Sequence, residues 1–366
     1  MFYRIYALIF NLFRIFPVKR NRVTFLSPHN GGENDNLHIL AERLREKGGF
    51  DIRFVFSSRE KMTLIKLFKF LFASPFFLAT SGYVFLNDNF MPMAYMRFSQ
   101  KAVITQLWHG QGAFKKFGLD TELEDSVKNL AEKGGAKLSF VICTSENVKK
   151  IYAGAFGVEE SKVLPLGSPT AEYLLNSYES QNVSSVRERF DRMYPHLKNK
   201  KLVLYAPTFR DNSADDISLC SNIDKKMFSE VLGDEYAFLV KLHPQVHSSD
   251  IPSGMTDVTG ESIFDLSLIC ECLITDYSSV CMDFAMLNKK CIFFAFDKEK
   301  YTAERSFYFD YDTYVPGEVT SDFETALKAV KVPFDIEKNR RFVEFNFDCI
   351  NGSCDRILEK TIFGKS

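Results

Sequence analysis

The chain has 366 residues, of which 46% are hydrophobic and 25% charged, and its formal net charge at pH 7 is −1. That length suits two α/β domains, and that hydrophobic share builds a full core and excludes a disordered chain. A balance so near zero excludes the basic excess of a nucleic-acid binder, so no nucleic-acid partner is expected.

The N-terminal segment, residues 1–22, carries Arg4, Arg14, Lys19, Arg20 and Arg22 and no acid. At about 100° per residue, Arg4, Asn11 and Arg14 share one side with Ala7, while Phe2, Ile5, Ile9, Phe13 and Phe16 fall elsewhere. This predicts an amphipathic helix, too short and too charged to span a bilayer and without the small-residue cleavage site of a signal peptide. A basic, aromatic helix of this kind lies on an anionic membrane face; a helix packed on the first domain is the alternative. The segment 61–78 is a second aromatic and lysine-rich stretch, in which Pro75 is expected to break any continuous helix.

Next, Val23-Thr24-Phe25-Leu26 reads as a strand, followed by a loop containing Gly31 and Gly32 and a helix from Leu37 to Lys47. Strands follow at 52–56, 83–86, 102–107 and 140–144, then a helix at 146–156 and a strand-like run at 162–167. A polar, helical stretch from about 175 to 200 links to a second series, with strands at 202–206, 237–242, 272–274 and 291–295. The stretch 342–362 is helical in pattern. Strands and helices alternating at this spacing predict parallel α/β sheets, whose ligands bind at the carboxyl ends of strands. The expected divisions are 1–22 (membrane helix), 23–175 and 176–345 (two Rossmann-like domains) and 346–366 (a closing helix).

Chemistry-bearing residues fall at those strand ends. His109 follows the strand-like run into Leu107-Trp108, and His243 follows Lys241-Leu242. Thr275-Asp276-Tyr277-Ser278-Ser279 joins a strand to the helix-like Val280–Leu287. Free N–H groups in a first helical turn, with the positive end of the dipole, favour a phosphate. Two strand-end histidines and a hydroxyl-capped helix suggest group transfer on a phosphorylated substrate. The eight cysteines lie mostly in apolar runs with no CxxC pair, which predicts reduced thiols in a cytosolic protein. No acid or histidine cluster has metal-ligand spacing, and no GxGxxG opens a helix after an early strand, which argues against a dinucleotide-binding oxidoreductase.

Six segments occurring in order carry a resemblance: LWHGQGAFKKFG (107–118), KVLPLGSPTAEY (162–173), YAPTFRD (205–211), KLHP (241–244), ITDYSSVCMDFAMLNKKCIFFAFDKEKY (274–301) and ERSFYFDYDTYVPGEV (304–319). The chain resembles the CDP-glycerol glycerophosphotransferase family of teichoic acid synthesis in Gram-positive bacteria. The resemblance implies a GT-B fold, two Rossmann-like domains facing a cleft, in a peripheral, monotopic enzyme on the cytoplasmic face of the plasma membrane. Its length and the run Gly112–Gly118 look like the short, primase-type members; polymerases usually add an N-terminal extension. Gln111 stands where many members carry Thr or another small residue, and Ser306 replaces the Gly that usually follows the arginine.

The implied reaction is attack of an acceptor hydroxyl on the β-phosphorus of CDP-glycerol, or a similar CDP-alditol, with CMP leaving. His109 is the candidate general base, because imidazole titrates near neutral pH. His243 is the candidate for stabilising charge on the pyrophosphate. Ser278 and Ser279 would present hydroxyl and N–H groups to the donor phosphates, and Arg305 a guanidinium. Thr275, Asp276, Asp283, Thr208 and Arg210 complete the expected donor side, Asp276 as an orienting group and Asp283 toward the ribose. Gly31, Gly32, Asp35, Asn36, Lys115 and Lys116 are expected on the acceptor side, the lysines toward a polyprenyl-pyrophosphate-linked saccharide. No tightly bound cofactor is expected, and a Mg²⁺ carried by the nucleotide stays open, as does a homo-oligomer. The rival readings are a CDP-glycerol or CDP-ribitol polymerase, a nucleotide-sugar GT-B glycosyltransferase and a non-enzymatic membrane scaffold.

Overall fold

A computed structural model describes residues 2–27, 35–56, 69–180, 182–210, 219–243, 246, 251–252 and 254–364. Two compact units divide the chain, one formed by Met1–Tyr173 with Phe345–Ser366 and the other by Leu174–Glu344. Each carries a six-stranded, wholly parallel sheet.

In the first unit the strands are β1 (Lys19–Ser27), β2 (Asp51–Phe56), β3 (Ser81–Leu86), β4 (Val103–Gln106), β5 (Phe140–Cys143) and β6 (Val163–Pro165), in the order β2-β1-β3-β4-β5-β6. The order reverses direction at β1, between β2 and β3. Helices cover a parallel sheet on both faces, so its strands read as unbroken apolar runs. Phe25 pairs in register with Phe54 on one side and Phe85 on the other, its ring stacked 5.3 Å from each. The helix Asn36–Lys47 buries Leu37, Leu40, Ala41 and Leu44 in the same core. The last helix, Ser353–Thr361, adds Cys354, Ile357 and Leu358. Glu172 fixes its start by accepting from the Gly352 and Cys354 amides at 3.0 and 2.7 Å.

The N-terminal helix runs over Phe2–Phe13, and its faces differ from the expected ones. Ala7 and Asn11, expected on the polar side, are turned inward. Tyr6, Ala7 and Phe10 are buried, Tyr6 against Phe70 and Phe90 and Phe10 against Phe98. Asn11 donates to the Tyr95 carbonyl and accepts from the Arg97 amide, so a polar side chain lies on the packed face because its bonds are met there. Phe2, Ile5, Leu8, Leu12, Ile15 and Phe16 remain exposed, Ile15 at 82%. The basic run that follows does not extend the helix. Lys19–Arg22 opens β1, and Arg22 is buried between Asp51 and Thr80 and over the Phe76 and Phe77 rings. No described helix is long and apolar enough to cross a membrane.

Pro75 does not interrupt the helix it was expected to break. A π-helical turn at Lys69–Ala73 runs directly into the α-helix Ser74–Thr80, and Pro75 sits in the first turn of the latter, where its missing N–H is needed least. Residues 61–68 of the second aromatic stretch lie outside the described residues.

The second unit contains β7 (Lys201–Tyr205), β8 (Tyr236–Val240), β9 (Thr256–Asp257), β10 (Cys272–Thr275), β11 (Lys290–Phe294) and β12 (Glu318–Thr320), in the order β12-β11-β10-β7-β8-β9. The order of connection reverses between β7 and β10, the place where a doubly wound sheet opens a crevice for ligand. Edge strands β9 and β12 had no sequence signal, being two and three residues long. Asn288-Lys289-Lys290 follows the helix Val280–Met286 and closes two others. Lys289 Nζ donates to the Ser267, Leu268 and Cys270 carbonyls, and Lys290 Nζ to those of Ala329, Val330 and Val332. Each ammonium sits where orphan carbonyls and the negative end of a helix dipole meet. Burial pulls Lys289 down to about 8.

Candidate functional site

His109 lies just beyond the end of β4, on a turn whose backbone is held on every side. Trp108 has φ 60, a left-handed conformation that costs a non-glycine residue about 1–2 kcal/mol. Its amide donates to Gln106 Oε1 at 2.9 Å, and its carbonyl accepts from Asn36 Nδ2 at 2.8 Å. Its indole stacks on Phe117 and meets Phe156 edge-on. A Cβ on Gly110 would lie 3.1 Å from the indole nitrogen, so the third residue of Trp-His-Gly must be small. His109 itself is exposed, and its Nδ1 lies 3.1 Å from the carbonyl of Asn87, at the end of β3. A carbonyl only accepts, so Nδ1 is the donor in this contact, and in the neutral imidazole the lone pair then falls on Nε2.

The turn after His109 depends on Gly112. At φ 58 its amide donates to Thr144, and an added Cβ would lie 2.3 Å from Asn346 Oδ1, which itself accepts from the Ala113 amide. Tyr152 Oη donates to the Gly110 and Gly112 carbonyls. Gly112→Ala is expected to cost at least about 1 kcal/mol from the left-handed backbone alone, with the Asn346 collision in addition. A lowered urea midpoint at unchanged slope checks it.

The acceptor-side residues divide. Gly31 and Gly32 lie outside the described residues. Asp35 caps the helix Asn36–Lys47 through the His38 amide at 2.8 Å, and its second oxygen accepts from Asn87 Nδ2 at 3.1 Å. Asn36 is 3% exposed; besides donating to Trp108 it accepts from the Thr170 amide and the Ser168 hydroxyl. Both residues build the His109 turn. Gln111 joins the same knot through Thr170 Oγ1 at 3.0 Å, so the departure at position 111 is packed against the Gly167-Ser168-Pro169-Thr170 segment. Lys115 is half-buried and Lys116 exposed.

In the second unit, β7 and β10 bring Thr208, Arg210 and Asp276 together at the reversal point. Asp276 is 1% exposed; its Oδ1 accepts from the Thr208 and Tyr277 amides and its Oδ2 from Arg210 Nη2 at 2.8 Å. Arg210 also forks onto Asp297 at 2.9 and 3.1 Å and lies under the Tyr277 and Tyr301 rings. Burial opposes its charge, but the Asp276 and Asp297 carboxylates outweigh that and hold the guanidinium above its usual range. Tyr277 Oη donates to Asp297, and Tyr311 Oη to the Asp276 carbonyl. Thr275 is wholly buried and gives its hydroxyl to the Ala206 carbonyl. Thr208 is buried too, and among the described residues its hydroxyl has no hydrogen-bond partner.

Ser278 and Ser279 end this frame at the start of the helix Val280–Met286; Ser278 is half-buried with Oγ 3.4 Å from the Val280 amide, and Ser279 is exposed at the N-cap. His243 is exposed with its ring 4.6 Å from Phe209, and Arg305 is exposed at the end of the helix Lys298–Glu304. No group of three or more potential metal ligands occurs among the described residues.

Asp283 is half-buried, and desolvation pushes its carboxyl from 3.8 up to about 7. The unfolded chain therefore releases this proton first. Stability is full below about 4, falls as pH rises through about 7, and changes no further above it. In Asp283→Asn the drop in urea midpoint between pH 5 and pH 8 is expected to shrink, with the variant the more stable protein at pH 8.

Sequence patterns missed Asn87, Gln106, Asn346, Asp297 and Tyr311. Asp297 had one available signal, an acid just after the strand that neighbours β10.

The chain matches the family described as CDP-Glycerol:Poly(glycerophosphate) glycerophosphotransferase over residues 8–363. A teichoic acid poly(ribitol-phosphate) polymerase of Bacillus spizizenii is 32% identical over 97% of this chain, which spans 58% of that protein's length. A teichoic acid ribitol-phosphate primase of the same organism is 28% identical over 89% of this chain and 86% of its own. Among solved structures, the wall teichoic acid polymerase TagF superposes with a TM-score of 0.77 at 20% identity, over 98% of this chain and 93% of that one. That identity speaks for the fold alone: an α/β fold with two parallel sheets.

Proposed function

From the membership of this chain in the CDP-glycerol:poly(glycerophosphate) glycerophosphotransferase family, we propose that it moves glycerol phosphate from CDP-glycerol to a hydroxyl of a lipid-linked disaccharide, as a primase of teichoic acid synthesis. The observation that carries this reading is His109, exposed on a rigid turn with Nδ1 engaged and Nε2 available as a base. The acceptor hydroxyl loses its proton to Nε2 as its oxygen bonds to the β-phosphorus. The bond from that phosphorus to the bridging oxygen breaks, and CMP leaves with the electron pair. Catalysis of this type rests on alignment and on neutralising oxygen charge.

We assign that neutralisation to the exposed His243 and Arg305 and to the Ser278 and Ser279 groups. Thr208, with its unpartnered hydroxyl, is a further donor contact. Arg210, Asp276 and Thr275 act one step back, holding the loops that carry these groups. Asp283 we retain toward the ribose, and Lys115 and Lys116 toward the acceptor pyrophosphate. Asp35 and Asn36 serve the acceptor side by supporting the His109 turn.

In this reading the protein sits peripherally on an anionic leaflet; what supports it is the outward face of the N-terminal helix, where Phe2, Ile5, Leu8 and Leu12 are exposed and Arg4 and Arg14 lie alongside. Leu8→Glu with Leu12→Glu is expected to abolish sedimentation with phosphatidylglycerol vesicles while leaving the melting temperature unchanged. Undiminished sedimentation would remove this assignment.

The test of function is CMP release from CDP-glycerol with and without a lipid-linked disaccharide, with and without EDTA, and the mass of the lipid product. One added glycerol phosphate supports the primase reading. A second reading, a ribitol-phosphate transferase or polymerase, is favoured by the ribitol-phosphate relatives. It predicts turnover of CDP-ribitol or a ladder of additions. A nucleoside diphosphate product with a glycoside would instead mark a sugar transferase.

A further inference from the structure

The ladder between β3 and β4 stops where His109 begins. The Leu107 amide still reaches the Leu86 carbonyl at 2.7 Å, but the paired register ends at Leu86 and Gln106, and Trp108 turns into its left-handed conformation. From that point a side chain spans the gap. Gln106 is 2% exposed, its Nε2 donates to the Asp88 carbonyl at 3.1 Å, and its Oε1 accepts from the Trp108 amide at 2.9 Å. The two backbone segments it joins are those of the contact between His109 Nδ1 and the Asn87 carbonyl. One end of the amide holds the residue after Asn87, the other the residue before His109. Packing alone would be met by an apolar side chain of this length. An amide with both ends committed to backbone adds a fixed spacing instead.

We propose that Gln106 is a positioning residue for the transfer reaction, setting the reach between the Asn87 carbonyl and the His109 imidazole and thereby keeping Nε2 as the basic nitrogen. Asp35 secures the far side of this arrangement by accepting from the Asn87 side chain, Nδ2, at 3.1 Å. The proposal rests on the reading of His109 as the base.

Gln106→Met removes both hydrogen bonds at nearly constant volume, and Gln106→Glu keeps the acceptor for Trp108 while losing the donor to Asp88. The readouts are the melting temperature, kcat and KM for CDP-glycerol with the lipid-linked acceptor, and nitrogen chemical shifts of ¹⁵N-histidine-labelled protein. The His109 signals are identified by their loss in His109→Ala. We expect a melting transition in both variants, kcat lowered about 10- to 100-fold by misplacement of the base, and an unchanged KM for the donor. The His109 nitrogens are expected to move from a single Nδ1–H tautomer to a mixture. Combined with His109→Ala, Gln106→Met is expected to add no further loss. Should the Met variant fail to fold, the Glu variant carries the same tests. A wild-type tautomer and kcat within about twofold of wild type would overturn the proposal alone, as would an equal loss in the His109→Ala background. Full activity of His109→Ala would overturn the reading of the reaction, and the role of Gln106 in it.

Discussion

Replacing His109 with Ala is expected to lower acceptor-dependent CMP release by about 10²- to 10⁴-fold, the usual share of a positioned general base. Binding of the CDP-alditol, followed by calorimetry, is expected to persist, because the donor groups proposed here belong to the other unit. The imidazole hydrogen-bonds the Asn87 carbonyl and is exposed, so its removal costs little stability. The melting temperature of the variant should therefore stay close to that of the wild type, and lost activity would not be lost fold. His109→Asn sharpens the test. It retains a group able to donate to a carbonyl but has no nitrogen that can take a proton. If hydrogen bonding alone were required, Asn would restore much of the rate; if proton removal is required, Asn would be as inactive as Ala. A variant with wild-type turnover would discard His109 as the base.

The alternation of apolar runs with helical stretches made both sheets legible, because a parallel sheet buried on both faces leaves little room for any other composition. The positions of His109, Asp276 and Arg210 at strand ends were equally legible. What could not be read is who holds them. Gln106 sits in an apolar run and reads as one more strand residue; its partner is a carbonyl 18 positions earlier in the chain. Asn36 read as a ligand contact because it follows a glycine loop, whereas its amide is spent on Trp108 and Thr170. The N-terminal helix was legible as a helix, but not its orientation. Periodicity separates polar from apolar sides, and here both sides carry apolar residues, one packed through Tyr6 and Phe10 and the other exposed.

Arg210→Met is expected to cost the second unit about 3–5 kcal/mol, the penalty for stranding buried charge after its partner is removed. Sequence position alone made Arg210 a candidate for the donor phosphates, and geometry argues for another task. Its side chain is 5% exposed, it bonds both Asp276 and Asp297, and the stacked Tyr277 and Tyr301 rings lie over it. With the guanidinium gone, two carboxylates face one another in an aromatic enclosure. The companion variant Arg210→Met, Asp276→Asn, Asp297→Asn removes all three charges and should recover much of the loss, since an amide at 276 still accepts from the Thr208 and Tyr277 backbone. Urea unfolding of the single and triple variants separates the two roles. A strut predicts a large loss in the single variant and recovery in the triple. A phosphate ligand predicts little change in stability and a raised KM for the donor in both. The strut also implies an indirect kinetic effect, because Asp276 fixes the loops bearing Thr208 and Ser278. Donor affinity should fall in the single variant and return in the triple, an order that direct contact with phosphate cannot produce.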